Sequence, residues 1–302
     1  MTIQGILASA VLLAAMIAPA SAQAPWPLPD GVKSIEVNGY PMAYQESGNG
    51  TPLVLVHGSM NDYRYWSPQI ASLSAHHHVI AVSLRHFYPE KWDGKGDDFS
   101  IVQHADDVAA FIEKLNLGPV NLLGHSRGGA VVLNVATRHP NVIKTLVLAD
   151  ASGMETLLGD TPETRAMAAE GRRLREEFTS NLEKGGPEAA IRGFVEALAG
   201  PNGMDHLSAE EKTILVDNFE TAVRPEARPS VSCDQIRKFN FPILLLNGEQ
   251  SPKRYALMFA AMRNCVSVPV DAPIIIPGAS HPMNRQNPQY FDAAVLGFLS
   301  GR

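Results

Sequence analysis

At 302 residues the chain is long enough to bury a large core, and one α/β domain carrying an insertion fits that length. Its 25 basic and 31 acidic residues leave a formal charge of −6, and neither that balance nor any Lys/Arg cluster fits a nucleic-acid partner. The only cysteines, Cys233 and Cys265, have no metal-ligating neighbour at useful spacing and form either one bridge or two separate thiols.

In chain order, Ile6 to Ile17 is almost wholly apolar, and Ala20-Ser21-Ala22 follows with the small-x-small pattern of a signal-peptidase site, although Met1–Gly5 carries no Lys or Arg. The apolar run is shorter than the roughly 20 residues a bilayer span needs. Residues 1–22 are therefore expected to be a signal peptide, cleaved after Ala22, with export to a periplasm or the medium. No stable membrane anchor is expected. Ser34–Val37 and Tyr40–Gln45 read as short strands around the turn Asn38-Gly39. Leu53–Val56 is a continuous apolar run between Pro52 and Gly58, the pattern of a strand buried on both faces. Val79–Val82, Val120–Leu123, Thr145–Leu148, Ile243–Leu246 and Ile274–Ile276 repeat it.

Helical spacing lies between these runs, in Tyr65–Ser74, Ile101–Leu115, Gly129–Arg138 and Pro288–Leu299. The alternation predicts a mostly parallel, doubly wound α/β sheet. It breaks between residues 152 and 234, where helical spacing in Pro162–Leu182, Pro187–Leu198 and Ala209–Val223 replaces apolar strands. That segment reads as an inserted helical lid, dividing the core into residues 23–151 and 235–302.

The chemistry centres on Gly124-His125-Ser126-Arg127-Gly128, which ends one strand and opens a helix. A serine on so sharp a turn adopts a strained backbone, and Gly124 and Gly128 carry no Cβ to obstruct it. Amides at the helix N-terminus suit a developing oxyanion. A serine hydroxyl needs a base, and the base needs a third group to hold its tautomer. His281, on the loop after Ile274–Ile276, lies at the carboxyl edge of the sheet, where ligands of open α/β folds bind. Two acids end strands at the same edge: Asp150, the preferred candidate, and Glu249, the reserve. The expected oxyanion donors are the amides of Arg127 and Ser59, with Met60 as second choice. His57 is expected to prop that loop through hydrogen bonds. The run His76-His77-His78 reads as a solvated loop, because adjacent histidines point in different directions.

Together these residues resemble the α/β-hydrolase superfamily, of the lid-bearing esterase, epoxide-hydrolase and C–C-hydrolase type. His57-Gly58 resembles its oxyanion loop, Gly124–Gly129 its nucleophile elbow and Gly278-Ala279-Ser280-His281 its histidine loop, over about Ser34 to Arg302. Many relatives carry an Asp where this chain has Ser251. Others take the acid from the position of Asp150, which favours that residue. The resemblance also implies a structural role for Arg85, while His86, Phe87 and Tyr88 depart from the usual pattern and are placed to alter a pocket wall. A serine rather than an aspartate at the elbow implies acyl transfer. The expected function is hydrolysis of small-molecule carboxylic esters or lactones by Ser126, His281 and Asp150, with no metal or organic cofactor. Met154, Leu157, Leu158 and Phe194 are candidates for an apolar wall, packing within the lid being the expected role of any one. The alternatives are a C–C bond hydrolase or cofactor-free perhydrolase of the same fold, or a non-catalytic small-molecule receptor.

Overall fold

The structure, a computed structural model, describes residues 24–301; the expected signal peptide lies outside the described residues. Eight strands form one sheet: β1 (Lys33–Val37), β2 (Tyr40–Ser47), β3 (Pro52–Val56), β4 (His78–Val82), β5 (Val120–His125), β6 (Ile143–Ala149), β7 (Ile243–Gly248) and β8 (Ile274–Ile276). Their spatial order is β1-β2-β4-β3-β5-β6-β7-β8. β1 and β2 form an antiparallel hairpin, β2 runs antiparallel to β4, and every pair from β4 through β8 is parallel. This is the doubly wound α/β sheet that the alternation of runs predicts.

Side chains of a strand alternate between faces, and here both faces are buried, so the strands are apolar throughout. Val54 and Val56 of β3, Ile80 and Val82 of β4, and Leu122 of β5 join one core layer with Phe111, Val132 and Phe259. Leu53, Leu55, Val79, Ala81 and Leu123 join the opposite layer with Trp66, Leu73 and Phe291. Each Val, Leu, Ile or Phe among them contributes about 1.5–3 kcal/mol through burial. The first layer is covered by the helices Ile101–Lys114, Arg127–Arg138 and Arg254–Arg263, the second by Ser67–Ser74 and Pro288–Leu299.

Two helical segments divide where one was expected, each for a local reason, and one helix is additional. Tyr65–Ser74 divides into a 3-10 turn, Tyr63–Trp66, and the helix Ser67–Ser74, which starts afresh around Pro68. Ala209–Val223 divides at Asn218, whose side-chain amide caps the Ile214 carbonyl and also donates to Asp62. The helix Arg254–Arg263 was not anticipated, although Tyr255, Met258, Phe259 and Met262 are buried at helical spacing.

The insertion between β6 and β7 is helical, as expected. Its main element, Pro162–Ala199, starts at a Thr161 capping box and breaks at Gly186 (φ 70°) before Pro187. The buried residues of this element, Ala190, Ile191 and Val195, all follow the break. They pack with Met204, Leu215 and Phe219 around Met60, so a residue of the loop after β3 anchors the insertion to the sheet. Leu157 and Leu158 lie against the core layer that holds Met154, and Phe194 lies in the insertion's own cluster.

Candidate active site

β5 ends at His125, and the chain reverses through Ser126 into the helix Arg127–Arg138. Ser126 has φ 55° and ψ −119°, a conformation that costs a non-glycine residue about 1–3 kcal/mol. Neighbouring strands hold it there. Its amide donates to Ala149 O at 3.0 Å, and its carbonyl accepts from Gly129 at 3.0 Å and Ser152 at 3.1 Å. Close approach fixes the elbow against the loop after β3. A Cβ on Gly128 would lie 2.4 Å from the carbonyl oxygens of both Val56 and His57, and one on Gly58 would lie 3.0 Å from the Ser126 Cβ. Ser126 remains half-buried, whereas the residues flanking it are buried.

His281 arrives from the other side of the sheet's carboxyl edge. Its loop is held where Gln250 N donates to Ala279 O and Gly278 N donates to the Glu249 carboxylate at 2.7 Å. His281 Nδ1 lies 3.0 Å from Asp150 Oδ2. Asp150 is fully buried, and its carboxylate also accepts from Asn247 Nδ2 at 2.7 Å and from the Ser251 hydroxyl. Ser251 stands where many relatives of the resembled family carry the acid, and here it donates to an acid supplied by the end of β6. Glu249 is exposed and bonds the backbone of the histidine loop.

The sequence reading missed Tyr255. Its ring stacks on the His281 imidazole, with centroids 4.7 Å apart and planes 10° apart. Its hydroxyl lies 3.5 Å from His281 Nε2, accepts from Arg254 Nη2 at 3.0 Å, and is in polar contact with the Ser126 side chain. Among the described residues Ser126 makes no direct hydrogen bond to His281; the Tyr255 hydroxyl contacts both. The clue in the sequence was helical spacing shortly after the glycine of β7.

Burial and then the Arg254 guanidinium hold the His281 imidazole below the usual histidine range, while burial pushes the Asp150 carboxyl up. The neutral imidazole is thus the favoured form, with Nδ1–H donating to Asp150 and the Nε2 lone pair facing the Tyr255 hydroxyl. His125 stacks against Tyr65 and donates from Nε2 to the His281 carbonyl at 2.9 Å; burial takes it down to about 3.

The loop after β3 is propped by His57, which donates from Nδ1 to Gly58 O at 2.9 Å and accepts from the Leu84 amide at Nε2. Burial lowers this imidazole to about 3, so it is a fixed neutral strut rather than a proton carrier. Among the described residues the backbone amides of Ser59 and Met60 donate to no other group. Arg127 opens its helix, so its amide has no intrahelical acceptor. The Arg127 side chain turns away to the buried Glu226 carboxylate of the insertion and to His104 Nδ1. Arg85 bonds Asp107 through two nitrogens and Asp98 through a third, a structural cluster beneath the half-buried His86. Phe87 is buried against His57, and the Tyr88 amide donates to Asn218, so this segment docks the insertion. His76 is exposed, while His78 begins β4 and bonds Glu46.

A family profile described as alpha/beta hydrolase fold matches residues 51–185, from β3 through the elbow into the insertion. The chain has the α/β-hydrolase fold. It is 28% identical over 268 residues to the (E)-2-((N-methylformamido)methylene)succinate hydrolase of Acinetobacter baylyi, covering 85% of this chain and 93% of that protein. A thermophilic esterase from Thermogutta terrifontis, solved with malate bound, superimposes with a TM-score of 0.70 at 23% identity, covering 89% and 97% of the two chains. The enol-lactonase of Burkholderia xenovorans LB400 does so with a TM-score of 0.67 at 18% identity, covering 87% and 98%. At these identities the two structures share the fold with this chain.

Proposed function

We propose that this protein is an exported serine hydrolase of carboxylic esters or lactones. The observation that carries the reading is the 3.0 Å contact between the buried Asp150 carboxylate and His281 Nδ1, beside a strained serine elbow. Ser126 is the nucleophile, His281 the general base, and Asp150 the group that holds the imidazole tautomer. Substrate binding brings the Ser126 hydroxyl to Nε2 past the Tyr255 hydroxyl; such bonds commonly tighten in the Michaelis complex. The serine oxygen then attacks the carbonyl carbon as its proton passes to Nε2. The tetrahedral oxyanion accepts from the amides of Arg127 and Ser59, with Met60 as the alternative to Ser59. Nε2–H protonates the departing alcohol oxygen, and water, deprotonated at the same nitrogen, releases the acid from the acyl-enzyme.

Export is supported by the leader pattern of residues 1–22 and by the Cys233–Cys265 disulfide, which suits an oxidising compartment. N-terminal sequencing of the secreted product should begin at Gln23. The Acinetobacter baylyi relative is named for a substituted succinate, so acid-bearing substrates belong in any activity screen. A fluorophosphonate probe tests the chemistry directly. Wild type should be labelled and Ser126→Ala should not; an unlabelled, folded wild type would favour a non-catalytic receptor.

A further inference from the structure

Arg254 is the unexplained charge at this site. It opens the helix Arg254–Arg263, is half-buried, and donates Nη2 to the Tyr255 hydroxyl, which in turn contacts both Ser126 and His281. Other arginines around the site have carboxylate partners: Arg64 with Asp62 and Asp217, Arg127 with Glu226, and Arg285 with Glu211. Arg254 has none among the described residues; its guanidinium bonds the neutral Tyr255 hydroxyl and lies 4.8 Å from the centroid of the same ring. A cation kept beside a general base opposes protonation of that base. Such a placement is stabilised when a ligand supplies the anion. Guanidinium suits carboxylate because its planar donors match the two oxygens.

We propose that Arg254 is the carboxylate-binding residue of the substrate site, so that the preferred substrate is an ester or lactone carrying a free carboxylate a few carbons from the scissile carbonyl. The spacing follows from the chain of contacts, since only the Tyr255 hydroxyl separates the guanidinium from the Ser126 hydroxyl and from Nε2. Ser126 and Arg254 both keep solvent contact while Tyr255 and His281 are buried, so both ends of this chain of contacts are open to solvent. A bound carboxylate also offsets the guanidinium field on His281 and strengthens the base once the correct substrate is present. This inference rests on the serine-hydrolase reading for its chemistry, but not for its binding step.

Glu170 of the insertion senses the Arg254 charge, although it is bonded to Arg173. A latch between Arg254 and Glu170 is therefore the rival role that the experiment must separate. Monomethyl succinate and dimethyl succinate share a scissile ester and differ in one free carboxylate. Wild type should favour the monoester in kcat/KM by at least about tenfold, the worth of a charge-assisted hydrogen bond. Arg254→Gln should bring that ratio close to one, and Arg254→Lys should restore part of it. Calorimetric titration of Ser126→Ala with monomethyl succinate reads binding without turnover, and adding Arg254→Gln should weaken it by about the same factor. No monoester preference together with no Arg254-dependent binding would overturn the inference while leaving fluorophosphonate labelling, and hence the hydrolase reading, intact. Equal losses on both esters in Arg254→Gln and Glu170→Gln would overturn it in favour of the latch. Failure of labelling alongside Arg254-dependent binding would sink the serine mechanism and leave the carboxylate site standing.

Discussion

Asp150 accepts from the His281 imidazole, the Asn247 amide and the Ser251 hydroxyl, whereas Glu249 has a backbone amide and solvent. That contrast assigns different consequences to two conservative substitutions. Asp150→Asn should lower kcat by about 10³–10⁴-fold, because an amide in that place no longer favours the Nδ1–H tautomer. Glu249→Gln should leave kcat within about threefold, since it changes only a bond to the Gly278 amide. Steady-state kinetics on one ester decides between them, and the reverse pattern would transfer the acid to Glu249. The pH profile has a sign of its own. In the proposed mechanism His281 serves as a base only when neutral, and burial with the Arg254 charge holds its pKa down. The acid limb of kcat/KM should therefore fall below pH 6.5, the ordinary histidine value. Arg254→Gln removes a cation, favours protonation, and should move that limb upward. At this scale the sequence offered Ser126, His281 and two acids as candidates, because turn chemistry and strand ends are local. Tyr255 and Arg254 were not legible, since their importance depends on a helix packing back over the histidine loop.

The long helix of the insertion shows what a pattern carries at the scale of elements. Apolar and Ala/Glu-rich spacing was enough to place helices on both sides of residue 186, and Gly186-Pro187 is where the structure breaks. The docking contacts could not be read, because Met60, Asn218 and Glu226 meet partners far away in sequence. The disulfide is another such contact. Cys233, in the last short helix of the insertion, pairs with Cys265 just beyond the helix Arg254–Arg263, a separation of 32 residues. It thus ties the return of the insertion to the element that carries Arg254 and Tyr255. Closing a loop of that length restricts the unfolded chain by about 3–4 kcal/mol on the loop-entropy account. A Cys233→Ser/Cys265→Ser variant should accordingly unfold about 5–15 °C lower by calorimetry. A melting temperature within a degree or two of wild type would mean that the surrounding packing already confines these segments.

Across the whole molecule, a set of histidines deep in the fold links its stability to acidity. His57, His104, His125 and His281 are all buried, and burial lowers the pKa of each, to about 3 for His57 and His125. In the unfolded chain each takes up a proton below about pH 6.5 while the folded form stays neutral, so stability is lost as pH falls below that value. Two buried carboxyls act in the opposite direction. Burial raises Asp150 and lifts Asp292 to about 7, so the folded state already holds those protons when the unfolded state does not. Near pH 5 unfolding should then take up a net of about two protons, and stability should fall by about 2–3 kcal/mol per pH unit. Urea denaturation at pH 7 and pH 5 measures the change, and the dependence of the unfolding enthalpy on buffer ionisation counts the protons. An unchanged midpoint, or release of protons on unfolding, would show that the buried imidazoles are already charged in the native state. Such charge would also deprive His281 of the lone pair that proton abstraction from Ser126 requires. The stability curve therefore bears on the mechanism as well as on the fold.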